Sequence, residues 1–176
     1  LSEIEAAAAN GASRQRLRTV VTSARDLAVM LDDAVDYSAL TEGRVAITPR
    51  TVAVRPELSA SLLVFELQAR LQGRELLVTI DKDVPQVLLI DSQRVRQCLG
   101  NLIGNALKHS SRGAVTISVR HAKARLVIEV ADQGKGIAPA LHEQVFEPFY
   151  RGSTETPGVG LGLAISRAVA RQMGGD

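Results

Sequence analysis

The sequence has one cysteine, no tryptophan and only 3% aromatic residues in 176 positions. With Cys98 alone, no intrachain disulfide can form and no cysteine cluster can hold zinc. Cys98 falls in an apolar helical stretch, the usual setting of a buried structural thiol, and a reducing compartment fits it. The shortage of aromatics leaves the core to Leu, Val, Ile and Ala. No uninterrupted apolar run approaches the ~18 residues of a membrane span, and no signal-peptide pattern is present. The chain itself is therefore expected to make no membrane contact and to work in the cytoplasm, even if a longer parent is membrane-anchored. Runs of like charge are missing too, and the formal net charge is only +2, which argues against nucleic acid as a partner.

What is present divides into two regions. From Arg14 to Leu40 there is no Pro or Gly, and apolar or small residues recur at Leu17, Val21, Ala24, Ala28, Leu31, Val35 and Ser38. Steps of four and three make a heptad seam, with the charged residues off it. A lone helix cannot bury such a stripe, so it should join a bundle, most simply by dimerising. Leu1 to Ala9 reads as the end of a preceding helix, broken at Asn10-Gly11, and Thr41-Glu42-Gly43 ends the long one. The predicted boundary lies between residues 1–43 and 44–176.

After Val45 the periodicity alternates between strand and helix. Strands are predicted at Thr51–Val54, Glu75–Ile80 and Val87–Ile90. A hairpin is predicted from Ala114–Arg120 and Arg125–Ala131, joined by His121 to Ala124. Helices are predicted from Pro56 to Gln72, from Gln93 to His109 behind an Asp91-Ser92 cap, from Pro139 to Val145, and from Gly160 to Met173. This order predicts an α/β fold: a two-layer α/β sandwich, with a mixed sheet and helices on one face, preceded by the long dimerisation helix. A further strand is expected after the last helix.

Three elements could carry chemistry. Asp132-Gln133-Gly134-Lys135-Gly136-Ile137 follows a strand, where a carboxylate and bare backbone could meet a flat ligand with an exocyclic amine. The same turn could equally be a plain β-turn. Gly158-Val159-Gly160-Leu161-Gly162-Leu163 runs into a helix, leaving amides free for an anion, though it is neither the dinucleotide-binding fingerprint nor a P-loop. Offsets of four and three place Asn101, Asn105 and Lys108 on one helix face. That face could meet plain solvent, or supply an oxygen ligand to magnesium and contacts to phosphate.

In order and content these elements, with Phe146-Glu147-Pro148-Phe149-Tyr150-Arg151 between them, resemble the catalytic domain of sensor histidine kinases. That domain belongs to the ATPase superfamily shared with gyrase, the ninety-kilodalton heat-shock chaperones and mismatch-repair proteins. The resemblance runs from about Val45 to the end, and Asp36 to Arg44 also resembles the close of the second dimerisation helix. It implies ATP and Mg²⁺ as ligands. Asn105 would hold magnesium, while Asn101, Lys108 and His109 line the nucleotide and its phosphates. Asp132 would read the adenine amine, with Gly134, Gly136 and Ile137 shaping the base pocket. Arg151 would approach the γ-phosphate, and Gly158, Gly160, Leu161 and Gly162 would offer amides to the phosphate tail beneath a lid at Ser153–Pro157. The implied partners are a second copy, through the helical hairpin, and the receiver domain of a response regulator.

Two departures stand out. His109 replaces the family's frequent Tyr or Phe, and could either touch nucleotide or interact with the last helical carbonyls. The family's phosphoacceptor motif, His-Glu/Asp-x-x-x-Pro, is absent, so the chain is expected to bind nucleotide without phosphorylating itself. In hydrolysing members a Glu stands where Asn101 does, and an amide cannot act as a general base. This disfavours a gyrase- or chaperone-like ATPase. A degenerate module that docks a partner and an anti-sigma-type serine kinase remain as alternatives.

Overall fold

The structure, a computed structural model, describes residues 2–44, 46–110, 113–152 and 159–176; for 2–14 and 25–26 it describes the backbone alone. Helix α1 runs without interruption over Ser2–Thr41. This corrects the expected break at Asn10-Gly11. A glycine inside a helix costs only ~1 kcal/mol relative to alanine, and Ala6–Ala9 just before it are the best helix formers. Instead of a hairpin, the described chain has one rod of ~60 Å.

Most of the heptad seam on α1 has no cover: Leu17 is 64% exposed and Val35 68%. The C-terminal end differs. Leu40 is buried among Leu161, Ile165 and Val169, with Ala34 and Tyr37 alongside. Asp36 accepts hydrogen bonds from Gln97 Nε2 (2.7 Å) and Arg94 Nη1 (3.3 Å). Gln172 Nε2 donates to the Leu40 carbonyl at 3.0 Å. The end of α1 is thus docked on the rest of the molecule.

Strand β1 (Arg50–Ala53) pairs antiparallel with β3 (Val87–Ile90), Arg50 opposite Ile90. Strand β2 (Leu76–Ile80) runs parallel to β4 (Val115–Ala122), which pairs antiparallel with β5 (Arg125–Ala131). The strands are mixed, as expected, but hydrogen bonding divides them into two ladders, β1-β3 and β2-β4-β5. The β4–β5 loop is shorter than the sequence implied. Lys123 (φ 51°) and Ala124 (φ 59°) alone make the turn, the positive angles that match a two-residue turn to the twist of the strands.

Helix α2 (Val54–Leu71) and helix α3 (Ser92–His109) pack against β2-β4-β5. Their apolar faces (Val54, Leu58 and Leu62; Leu99, Ile103 and Leu107) meet Val115, Ile117 and Val119 of β4. Each such burial contributes roughly 1.5–3 kcal/mol. Arg55 at the start of α2 donates to the carbonyls of Ile80 and Asp81, tying that helix to the end of β2. Two 3-10 turns, Pro139–Leu141 and Gln144–Phe146, replace the short helix expected at Pro139–Val145. Seven residues are too few to nucleate a stable α-helix without a strong apolar face. Helix α4 spans Gly162–Gln172, starting two residues later than the spacing suggested.

Candidate functional site

The site is built on α3. Asp91 caps its start, Oδ1 accepting from Arg94 N at 3.1 Å while Oδ2 accepts from Thr48 N at 2.9 Å. Burial works to raise the Asp91 pKa, but the Thr48 and Arg94 bonds outweigh it and hold the carboxyl below its usual range. Gly100 lets Phe65 of α2 approach, since a Cβ there would stand 3.4 Å from the ring. With Leu99, Ile103 and Leu107 turned inward, Asn101, Asn105 and Lys108 lie along the opposite side.

At the N-terminal end of that row, Asn101 Nδ2 donates to the Gly162 carbonyl (2.9 Å) and to Ser166 Oγ (3.2 Å). Ser166 Oγ in turn donates to Gly162 O at 2.9 Å. Gly162 packs closely on this amide, where a Cβ would come 3.3 Å from Asn101 Cγ. The Asn101 amide thus joins α3 to α4 through Nδ2, and its Oδ1 can face a ligand. Among the described residues no side chain caps α4, so its first N–H groups could meet an anion. Leu161 is fully buried, packed with Leu40, so the structure does not present it to a ligand.

At the other end of the row, β5 delivers Asp132. Its Oδ1 accepts from Gly134 N at 2.6 Å, which fixes the carboxylate and leaves the second oxygen outward. A Cβ on Gly134 would lie 2.8 Å from the His109 carbonyl, so only glycine lets this turn seat on the end of α3. Gly136 has φ +69°, and Ile137 is half exposed beside it. His109 itself is exposed. Eight helical residues separate Asn101 from His109, about 12 Å at 1.5 Å per residue.

The third wall is the segment Phe149–Arg151 and its return at Val159–Gly160. Phe149 N donates to Gly160 O at 3.0 Å. Gly160 has φ +80°, and a Cβ would meet Tyr150 O at 2.5 Å; no other residue fits. Arg151 lies close enough to Lys108 to act on its charge. Burial first, then the Arg151 guanidinium, hold the Lys108 ammonium below the usual lysine range. Two cations drawn together in this way make a place for a polyanion. Gly158 and the expected lid Ser153–Pro157 lie outside the described residues.

The structure thus gathers Asn101, Asn105, Lys108, His109, Asp132, Gly134 and Gly162 around α3. The sequence offered no pointer to Ser166, which locks Asn101, or to Arg167, which stacks 4.7 Å over the Phe146 ring. The Asp36–Gln97 link was equally hidden. Each joins positions far apart in the chain, with no spacing rule to reveal it.

Residues 90–176 match the family described as histidine kinase-, DNA gyrase B-, and HSP90-like ATPase. The sensor protein TorS of Escherichia coli (strain K12) is 36% identical over 169 residues, covering 94% of this chain and 18% of that protein. The virulence sensor protein BvgS of Bordetella bronchiseptica is 36% identical over 171 residues, covering 92% of this chain and 14% of that one. The chain therefore spans less than a fifth of these curated relatives. Among solved structures, full-length ShkA in complex with AMPPNP matches with a TM-score of 0.78 and 28% identity, over 89% of this chain and 34% of that one. The histidine kinase AdeS of Acinetobacter baumannii shares the fold, with a TM-score of 0.71 at 22% identity, over 88% of this chain and 72% of that one. With motifs, fold and relatives in agreement, the chain belongs to the sensor histidine kinases and carries their ATP-binding catalytic core.

Proposed function

We propose that residues 44–176 bind Mg-ATP across α3 and present its γ-phosphoryl group to a histidine on a dimerisation hairpin, for relay to a response-regulator aspartate. Residues 1–43 would be the part of that hairpin that reaches the catalytic domain. The observation that carries this reading is the way α3 is bracketed. The Asp132–Gly134 turn sits on its end at His109, and the uncapped start of α4 is bonded to Asn101. A nucleotide laid between them has its base at Asp132 and its phosphates at α4.

In this reading the free Asp132 oxygen accepts from the adenine amine, and Gly136 and Ile137 border the base. Lys108 and Arg151 neutralise the phosphates. Asn105 is the side-chain ligand for Mg²⁺. Among the described residues no group of three His, Cys, Asp or Glu could hold a metal, so phosphate oxygens and water complete the shell, as Mg²⁺ accepts. The metal would supply charge neutralisation in a phosphoryl transfer that depends on positioning and electrostatics. Asn101 braces α4 and cannot activate water, so the γ-phosphoryl is kept for the histidine.

The exposed seam of α1 (Leu17, Val21, Leu31, Val35) supports a homodimer. No helix among the described residues is long and apolar enough to cross a membrane, and a cytoplasmic setting suits an ATP-using core. The test is to incubate the chain with γ-labelled ATP and Mg²⁺, following both label on protein and phosphate release. The reading expects bound nucleotide, no labelled protein, and no steady phosphate release. Sustained release would place the chain with the hydrolysing members. Acid-labile label on His109, His121 or His142 would overturn the assignment of the acceptor to another segment.

A further inference from the structure

Arg167 lies on α4, five residues after Gly162, and belongs to none of the motifs that mark the site. Its guanidinium stacks 4.7 Å from the centroid of Phe146 and donates to Glu143 Oε2 at 2.8 Å. The Arg167 side chain is only 23% exposed, so the stack is partly withdrawn from water, where a cation on an aromatic face is strongest. Phe146 ends the second 3-10 turn, and the chain then runs on to Phe149–Arg151, the neck segment that meets Gly160. Tyr150 N donates to Glu147 O at 3.2 Å, and Phe149 N donates to Gly160 O at 3.0 Å. At its other end the same segment reaches the base pocket, where His142 Nε2 lies 3.1 Å from the Ile137 carbonyl.

We infer that Arg167 is a positioning residue for the phosphate-gripping half of the site. By clamping Phe146 and Glu143 to α4, it fixes the strand of chain that carries Phe149, Tyr150 and Arg151 against the Gly160–Gly162 limb. Without the clamp the two limbs, linked among the described residues by the Phe149 N to Gly160 O bond, are freer to slide. The guanidinium touches no ligand in this scheme; it acts through Phe146. The inference rests on the proposed nucleotide site, because only a ligand with phosphates would report the register of that neck.

The experiment measures dissociation constants of the whole chain for Mg-AMPPNP and for AMP, with melting temperatures alongside. Arg167→Met keeps the length of the side chain and loses its charge. It should weaken Mg-AMPPNP about tenfold, the size of a partly desolvated cation–π contact. AMP, which is held mainly at the base end, should change by no more than about twofold. Arg167→Lys leaves a cation over the ring and should recover most of the loss. Phe146→Leu removes the ring from the other side and should lower the same ratio. Combined with Arg167→Met it should add little, because both remove one contact.

Equal weakening of both ligands, an unchanged AMPPNP constant, or a lysine variant no better than methionine would each overturn the inference. So would additivity of Phe146→Leu and Arg167→Met. Failure of the folded wild-type chain to bind AMPPNP at all is a different result. It would remove the nucleotide site itself and, with it, any role for Arg167 there.

Discussion

Two faces of α1 meet opposite fates. Around Leu17 to Val35 the apolar residues face outward, Leu31 being 59% exposed. Five residues after Val35, and off the seam, Leu40 is 3% exposed, packed on Leu161, Ile165 and Val169. The heptad pattern says that the helix wants a partner without saying which, and it does not mark Leu40, the residue that docks within the chain. The docked end finds its partner within the chain, on α4, the helix whose N-terminus the proposed site assigns to the phosphates. The free stretch is left for another helix, and the proposed dimer supplies one.

Predictions that would break or sharpen this contrast can be ranked by size. Leu40→Ala removes a side chain buried between α1 and α4. It should cost about 2–5 kcal/mol in denaturant unfolding, as large-to-small changes in packed cores do, whereas Leu17→Ala should cost well under 1 kcal/mol. Equal losses would mean that α1 is not docked where the structure puts it.

Asp91→Ala acts on the connection between the two parts, because one carboxylate caps α3 and holds the Thr48 amide of the linker. Losing a cap costs ~1 kcal/mol and losing the bond from the exposed Thr48 ~0.5–1.5 kcal/mol, so a loss of about 1.5–2.5 kcal/mol is expected. The lowered Asp91 pKa gives this contribution a direction in pH. It is fully present above the unfolded carboxylate value of ~3.9 and lost as pH falls through the lower folded value. Acid unfolding of the Asp91→Ala variant should lack that component.

Asp36→Ala removes the polar half of the dock. Its carboxylate is 38% exposed, so solvent screening limits the expected loss to about 1 kcal/mol. Leu31→Glu should leave the unfolding midpoint of the catalytic part within about 0.5 kcal/mol of wild type, yet shift sedimentation from dimer to monomer. A monomeric wild type would refute the proposed use of the free seam.

The elements whose pattern is local were legible in the sequence. Val87–Ile90 is a strand with the bounds its apolar run implied, and α3 starts behind the Asp91 cap that its sequence announces. The Asn-Gly pair was misread because turn-forming residues were weighed alone, without the alanine run that carries the helix past them. The β4–β5 hairpin closes two residues tighter, since two side chains accept positive φ where loop residues were expected. In the site, glycines and polar residues were recognised by type, but their tasks came from contacts. Asn101, expected from its type to face a ligand, also bonds Ser166 and Gly162 of α4, a task its spacing does not announce. Gly160 is dictated by the Tyr150 carbonyl, ten residues back. No periodicity encodes such pairings.

The most direct test of the account is calorimetric titration of the chain with Mg-AMPPNP, wild type against Asp132→Asn. The account predicts magnesium-dependent binding that the substitution weakens by about 10- to 100-fold, the worth of a charge-assisted hydrogen bond, with the melting temperature of the free protein unchanged. Equal affinity in the two proteins would contradict the placement of the base at Asp132, and with it the orientation of nucleotide along α3.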